Sequence, residues 1–139
     1  GKAYVLRSGK DVSLFGTGTM TYELLVAAEV LASQGIDAEV VHVPTIKPLD
    51  TEAVLKSVEK TGRAVTCEEA QINGGLGSAI TECVSEFLPV PVKRLGVQDR
   101  YGESGDPRAV VEHFGLDGKS LAKKIKAFVR SVPQYKKGY

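Results

Sequence analysis

The sequence predicts a three-layer α/β/α sandwich built on a mainly parallel sheet. Three observations carry that reading. Short β-branched runs alternate with stretches of helical spacing along the 139 residues, and such alternation requires crossover connections. The interior runs Val40-Val41-His42-Val43 and Ala64-Val65-Thr66-Cys67 are almost continuously apolar, as strands covered on both faces must be. Glycine-rich turns lead from strand to helix at two places, the position where such sheets carry ligand crevices.

The first strand is expected over Ala3–Leu6 and the second over Val12–Phe15. Only Arg7 to Asp11, with the turn pair Gly9-Lys10, separates them. That is too short for a crossover, so the first strand reads as an antiparallel edge. Thr21–Ser33 follows as a helix with Leu24, Leu25, Ala28, Leu31 and Ala32 on one side. A strand over Ala38–Val43 precedes a helix over Thr51–Lys60, which offers Val54, Leu55 and Val58 and has Gly62 placed for a left-handed cap. Ala64–Cys67 is the fourth strand, followed by a polar loop over Glu68–Asn73. The stripe Leu76, Ala79, Ile80, Cys83, Val84 and Phe87 is the clearest helix signal in the chain. Val90–Val97 supplies the fifth strand. Asp106 and Pro107 read as N-cap and first residue of a short helix to Phe114, stopped by Gly115. The last helix starts near Asp117 or Ser120, carries Leu121, Ile125, Phe128, Val129 and Val132, and ends before Pro133.

Composition narrows the function classes. Apolar residues at 42% and charged residues at 25% are ordinary globular usage, which argues against disorder and against a coiled coil. Eighteen basic residues against seventeen acidic ones leave a net charge of +1, so no nucleic-acid partner is expected. Cys67 and Cys83 form no C-x-x-C pair, which removes a zinc ribbon and a disulfide scaffold. No apolar run approaches the roughly 18 residues that span a membrane, and a reducing, cytoplasmic setting is the default expectation. The chain opens on Gly1 rather than Met, which reads as a single domain over residues 1–139 excised from something longer.

Two turns are the candidate anion sites. Gly16-Thr17-Gly18-Thr19 leaves the second strand, and Gly74-Gly75-Leu76-Gly77-Ser78 leads into the third long helix. Each would aim backbone N–H groups and a positive helix end at one edge of the sheet, where Gly16, Thr17, Gly18, Thr19, Gly75, Gly77 and Ser78 are the candidate residues. The competing reading is that the glycines serve tight turns and close packing. Neither turn completes a dinucleotide fingerprint, since Thr21 and Ile80 stand where the third glycine belongs. Gly118-Lys119-Ser120 fails as a phosphate loop, because His113 occupies the position of its first glycine and no strand precedes it.

Other groups offer less. Glu68-Glu69 is a carboxylate pair at a strand end, but adjacent strand residues point to opposite faces, against a cooperative pair. His42 lies in an apolar strand and reads as a hydrogen-bonded interior or strand-end histidine, and nothing local supports a nucleophile pair of Cys67 with His42. Cys83 falls on the core stripe. Lys119 to Tyr139 holds seven of the eighteen basic residues and no acid, with Tyr135 and Tyr139 available for stacking; a solvated or subunit-facing surface is the commoner use of such a segment.

Several segments together resemble the carboxyl-terminal domain of transketolase. They are Gly1-Lys2-Ala3-Tyr4-Val5-Leu6-Arg7, then Gly9-Lys10-Asp11-Val12 running into Gly16-Thr17-Gly18-Thr19-Met20, and Ile46-Lys47-Pro48-Leu49-Asp50. Glu68-Glu69 with Ile72-Asn73-Gly74-Gly75-Leu76-Gly77-Ser78-Ala79 is the most specific match. Arg94-Leu95-Gly96-Val97-Gln98-Asp99-Arg100-Tyr101-Gly102-Glu103-Ser104-Gly105 and Gly115-Leu116-Asp117 complete the order. The resemblance implies a five-stranded mixed sheet of order 1-3-2-4-5 with strand 1 antiparallel. It also implies a part in two-carbon ketol transfer between sugar phosphates by a thiamine-diphosphate enzyme, with cofactor and magnesium bound by other domains. No catalytic, cofactor-binding or metal residue of that family is matched here. An interface or regulatory role follows, beside an upstream cofactor-binding and pyrimidine-binding domain or subunit in a homo-oligomeric, dimeric assembly. The same domain type ends 1-deoxyxylulose-5-phosphate synthase, which is the alternative. A stand-alone phosphate- or nucleotide-binding module is the reading from a different class.

Overall fold

The computed structural model describes residues 1–71, 75–97 and 115–135, with the side chains of residues 70, 71 and 97 left aside. Nine elements run β1 Tyr4–Arg7, β2 Val12–Gly16, α1 Met20–Ser33, β3 Ala38–His42, α2 Thr51–Thr61, β4 Ala64–Gln71, α3 Leu76–Phe87, β5 Val92–Val97 and α4 Gly118–Ser131 among the described residues. The sheet order is β1-β3-β2-β4-β5, as expected. β1 is antiparallel to β3, and the β2–β3, β2–β4 and β4–β5 pairs are parallel.

Two apolar layers sandwich the sheet. Leu14, Val40, Val65 and Cys67 pack with Leu24, Ala28 and Leu31 of α1 and with Leu121 and Ile125 of α4. Phe15, Val41 and Ala64 point the other way, toward Val54 and Val58 of α2 and Leu76, Ile80 and Val84 of α3. Period-2 alternation of buried residues on β2 and β3 therefore feeds both layers, which is why those strands read as continuous apolar runs. Gly62 takes the left-handed φ of 71° expected of it and closes α2 through its N–H to the Val58 carbonyl.

Several details depart from the expectations. β4 does not end at Cys67 but continues through Glu68 and Glu69 to Gln71, because β5 keeps pairing alongside as far as Val97. Phe87, on the predicted apolar stripe, is 61% exposed, since it stands at the end of α3 above a groove toward α2 rather than over the sheet. Ala32 is exposed and Leu25 half-buried; Ala27 takes their place in the core of α1. The short helix from Asp106 to Phe114 and the motif Asp99–Gly105 lie outside the described residues, while Gly115 itself has a φ of +67°.

Candidate functional site

From β2 the chain crosses to β3 on one side, and from β4 it crosses to β5 on the other. The space beyond the carboxyl ends of β2 and β4 is thus the topological switch point of the sheet. There Thr17, Gly18 and Thr19 of the first turn, Gly75 of the second, Ile46 and the pair Glu68 and Glu69 line a cleft of about 420 Å³. Four of the seven candidate anion residues share this cleft. The other three are otherwise engaged. A Cβ on Gly16 would stand 2.7 Å from Leu24 Cδ1, so this glycine serves the close approach of α1. A Cβ on Gly77 would meet Arg94 Nε at 2.8 Å and Thr66 Oγ1 at 3.1 Å. Ser78 Oγ accepts a 2.8 Å hydrogen bond from Arg94 Nη2. Gly74 lies outside the described residues.

Strand alternation separates the two carboxylates. Glu68 turns toward α3 and is buried; its Oε1 accepts from Leu76 N at 2.8 Å and its Oε2 from Gly77 N at 2.7 Å. Glu69 turns to the opposite face, where Thr19 Oγ1 donates to it at the start of α1. The donors that the second glycine turn offers to an anion are therefore bound by the chain's own carboxylate. At the first turn, the amides of Met20, Thr21 and Tyr22 bond back to the carbonyls of Thr17, Gly18 and Thr19 at 3.2 Å.

Gly16 pairs with His42 on one side and Cys67 on the other, so those two side chains stand two strand spacings apart, roughly 10 Å. That exceeds proton-transfer reach. His42 Nδ1 instead shares a 2.9 Å hydrogen bond with Thr21 Oγ1, the interior role expected of it. Cys67 is buried, with Sγ 3.6 Å from Met20 Sδ, and burial pushes its thiol up to about 12. Cys83 is buried on α3, its thiol also raised by burial. At Gly118-Lys119-Ser120 the amide of Gly118 donates to buried Glu23 at 2.8 Å and that of Ser120 to Asp117 at 3.3 Å. The described residues directly before them, Gly115 to Asp117, are not in a strand. On α4, Lys119, Lys123, Lys124 and Arg130 are exposed and Lys126 half-buried; Tyr139 lies outside the described residues.

Besides Glu68, three charged residues are buried among the described residues: Glu23, Glu39 and Arg63. Glu23 holds the start of α4. Glu39, on β3, pairs with Lys60 and accepts from Ser57 Oγ at 2.8 Å and Gly9 N at 3.1 Å. Arg63 donates to the carbonyls of Asp11, Val129 and Val132 at 2.8 to 3.0 Å. A charged residue inside or beside an apolar strand is the signal that marks Glu39 and Arg63. All three tie elements together, and none of them is among the residues that line the cleft.

The cleft does not suit a magnesium diphosphate. Its α3 amides already hold a carboxylate, a second carboxylate stands at its rim, and no group of three metal-ligating side chains occurs among the described residues. The sequence model of the family described as "Transketolase, C-terminal domain" matches residues 1–121. The chain belongs to the transketolase C-terminal domain family. Within it, the chain is 53% identical over 123 residues to the 6-deoxy-6-sulfo-D-fructose transketolase subunit SqwH of Clostridium sp. (strain MSTE9), covering 88% of this chain and 38% of that protein. It is 40% identical over 126 residues to 1-deoxy-D-xylulose-5-phosphate synthase of Trichormus variabilis, covering 90% of this chain and 20% of the relative. A solved structure described as a split gene transketolase, inactive beta4 tetramer, superposes with a TM-score of 0.86 at 40% identity, over 93% of this chain and 42% of that one. Transketolase from Campylobacter jejuni shares the fold, with a TM-score of 0.65 at 24% identity over 90% of this chain and 18% of its own. This transketolase C-terminal domain thus spans well under half the length of the relatives it matches.

Proposed function

We propose that this chain is the carboxyl-terminal section of a thiamine-diphosphate-dependent transketolase, in which it packs against and supports the catalytic domains and carries no catalytic residue of its own. The observation that carries the reading is the 53% identity to a transketolase subunit over nearly the whole chain, while the chain fills only 38% of that subunit. The rest of the assembly then binds cofactor and magnesium and moves a two-carbon ketol unit between sugar phosphates. Its partners are the cofactor-binding and pyrimidine-binding domains, in one polypeptide or as separate sections, within a cytoplasmic homo-oligomer. Residues 1–139 act in it as one domain.

The test is reconstitution. Titration calorimetry with thiamine diphosphate and magnesium, and a coupled ketol-transfer assay, are run on the chain alone and on the chain joined to its upstream section. The joined protein is expected to bind and turn over, and the chain alone to do neither. Submillimolar cofactor binding or turnover by the chain alone overturns the reading. The synthase relatives, at 38% to 44% identity, favour a second reading; deoxyxylulose-phosphate synthase activity in the joined protein, without ketol transfer, would decide for it.

A further inference from the structure

The most specific motif of the chain, Glu68-Glu69 with Gly75-Leu76-Gly77, has no part in the function proposed above, and its geometry gives it one. The start of α3 presents free amides and a partial positive charge, the arrangement that binds carboxylate and phosphate groups. Two of those amides converge on one carboxylate, one on each oxygen, at 2.8 and 2.7 Å. Two amides on two oxygens is how a bound anion is held. Glu68 is 2% exposed, and its carboxylate comes from the preceding strand, eight and nine residues back. It is not a local cap of the kind that Asp50 and Asp117 make three residues away. A Cβ on Gly75 would collide with Glu68 Oε1, so a side chain there would displace the carboxylate. The switch-point cleft of about 420 Å³ opens directly against the same residues.

We propose that Glu68 is the resident anion of the switch-point site: its carboxylate occupies the place of an external carboxylate or phosphate, closes the α3 amides to soluble anions and positions the Gly75–Gly77 turn. Glu68 is a positioning residue, and the site is a tethered-ligand site rather than an empty one.

Chemical rescue separates this from an ordinary structural contact. In Glu68→Ala, made in the full protein, the melting temperature is expected to fall by about 5–10 °C, the scale of two hydrogen bonds to a charged group. Sodium formate at about 100 mM should restore a third or more of that loss in a saturable way, with no such gain from sodium chloride at equal ionic strength and none in the native protein. Equal effects of formate and chloride, or no formate effect in the folded variant, overturn the proposal. If Glu68→Ala does not fold, Glu68→Gln and the native protein carry the test through hydrogen-exchange mass spectrometry. An amide side chain offers one acceptor oxygen instead of two, so exchange in the peptide covering Leu76 and Gly77 should quicken about tenfold; unchanged exchange overturns the proposal. In the native protein, 50 mM inorganic phosphate should leave exchange of that peptide unaltered. Saturable protection there would show an open anion site, and the proposal would be wrong.

Discussion

Arg63 offers the sharpest quantitative test of how this domain is held together. The residue is 8% exposed and its guanidinium reaches three backbone carbonyls: Nε donates to Asp11 O at 3.0 Å, and Nη1 donates to Val129 O at 2.8 Å and Val132 O at 2.9 Å. The latter two carbonyls belong to the last turn and cap of α4, where terminal carbonyls lack intrahelical partners and a positive charge is favoured. Hydrogen bonds to a charged donor contribute about 1.5–3 kcal/mol each, but burial taxes the guanidinium, and it lowers the Arg63 pKa for the same reason. Three bonds less that desolvation leave a net loss of about 3 kcal/mol on Arg63→Met, which keeps the apolar stem and removes the donors. Arg63→Lys keeps the charge but not the planar fork, so about half that loss is expected. Urea unfolding followed by far-UV circular dichroism gives the free energies, and hydrogen exchange over residues 128–132 shows whether the end of α4 is what loosens. A change below about 1 kcal/mol in Arg63→Met, with unaltered exchange at the α4 terminus, would refute the reasoning.

Two further outcomes follow from the same kind of geometry. Asp50 caps α2 through Ala53 N and also accepts from Ala3 N at 2.9 Å, and these two amides hold its carboxyl below the ordinary value of 3.8. A depressed folded pKa means stability that is complete above about pH 4 and is lost as pH falls through the folded value. Asp50→Asn should therefore flatten the acid limb of a stability–pH curve, measured by urea midpoints between pH 2 and 6; an unchanged limb would exclude Asp50 as its source. Cys67, with its thiol near 12, is expected to resist an aromatic disulfide reagent at pH 8, since only about one part in ten thousand is thiolate and the sulfur is buried. Peptide mapping that shows native Cys67 labelled within tenfold of a free thiol would contradict that burial.

Periodicity made the layers legible. The alternation of apolar strands with helical stripes, the short first connection and the cap glycine Gly62 lead directly to a mixed sheet with β1 antiparallel and to the placing of both glycine turns at one edge. The alternation rule even separates Glu68 from Glu69. Contacts that bridge distant segments were the part the sequence does not spell out. Glu23 meets Gly118 across 95 positions and Arg63 meets Val132 across 69, and no local pattern encodes such pairings. Glu68 looks like a loop acid because the pairing that extends β4 is supplied by β5. Phe87 obeys helical spacing yet stays uncovered, because a stripe says which side of a helix is apolar and not where the neighbouring layer stops.

The bond between Glu23 and Gly118 also has a consequence in time. Residues leave the ribosome in order at about 5–20 per second, so the carboxylate of Glu23 emerges roughly 5–20 s before the amide it will bind. Through that interval the side of α1 that α4 later covers has no partner from its own domain, and the carbonyl of Asp11 has yet to share Arg63 with the last helix. The nascent sheet can assemble its strands one after another. The layer formed by α1 and α4 can close only after α4 has been made, so it completes later than the strand pairs that α1 covers.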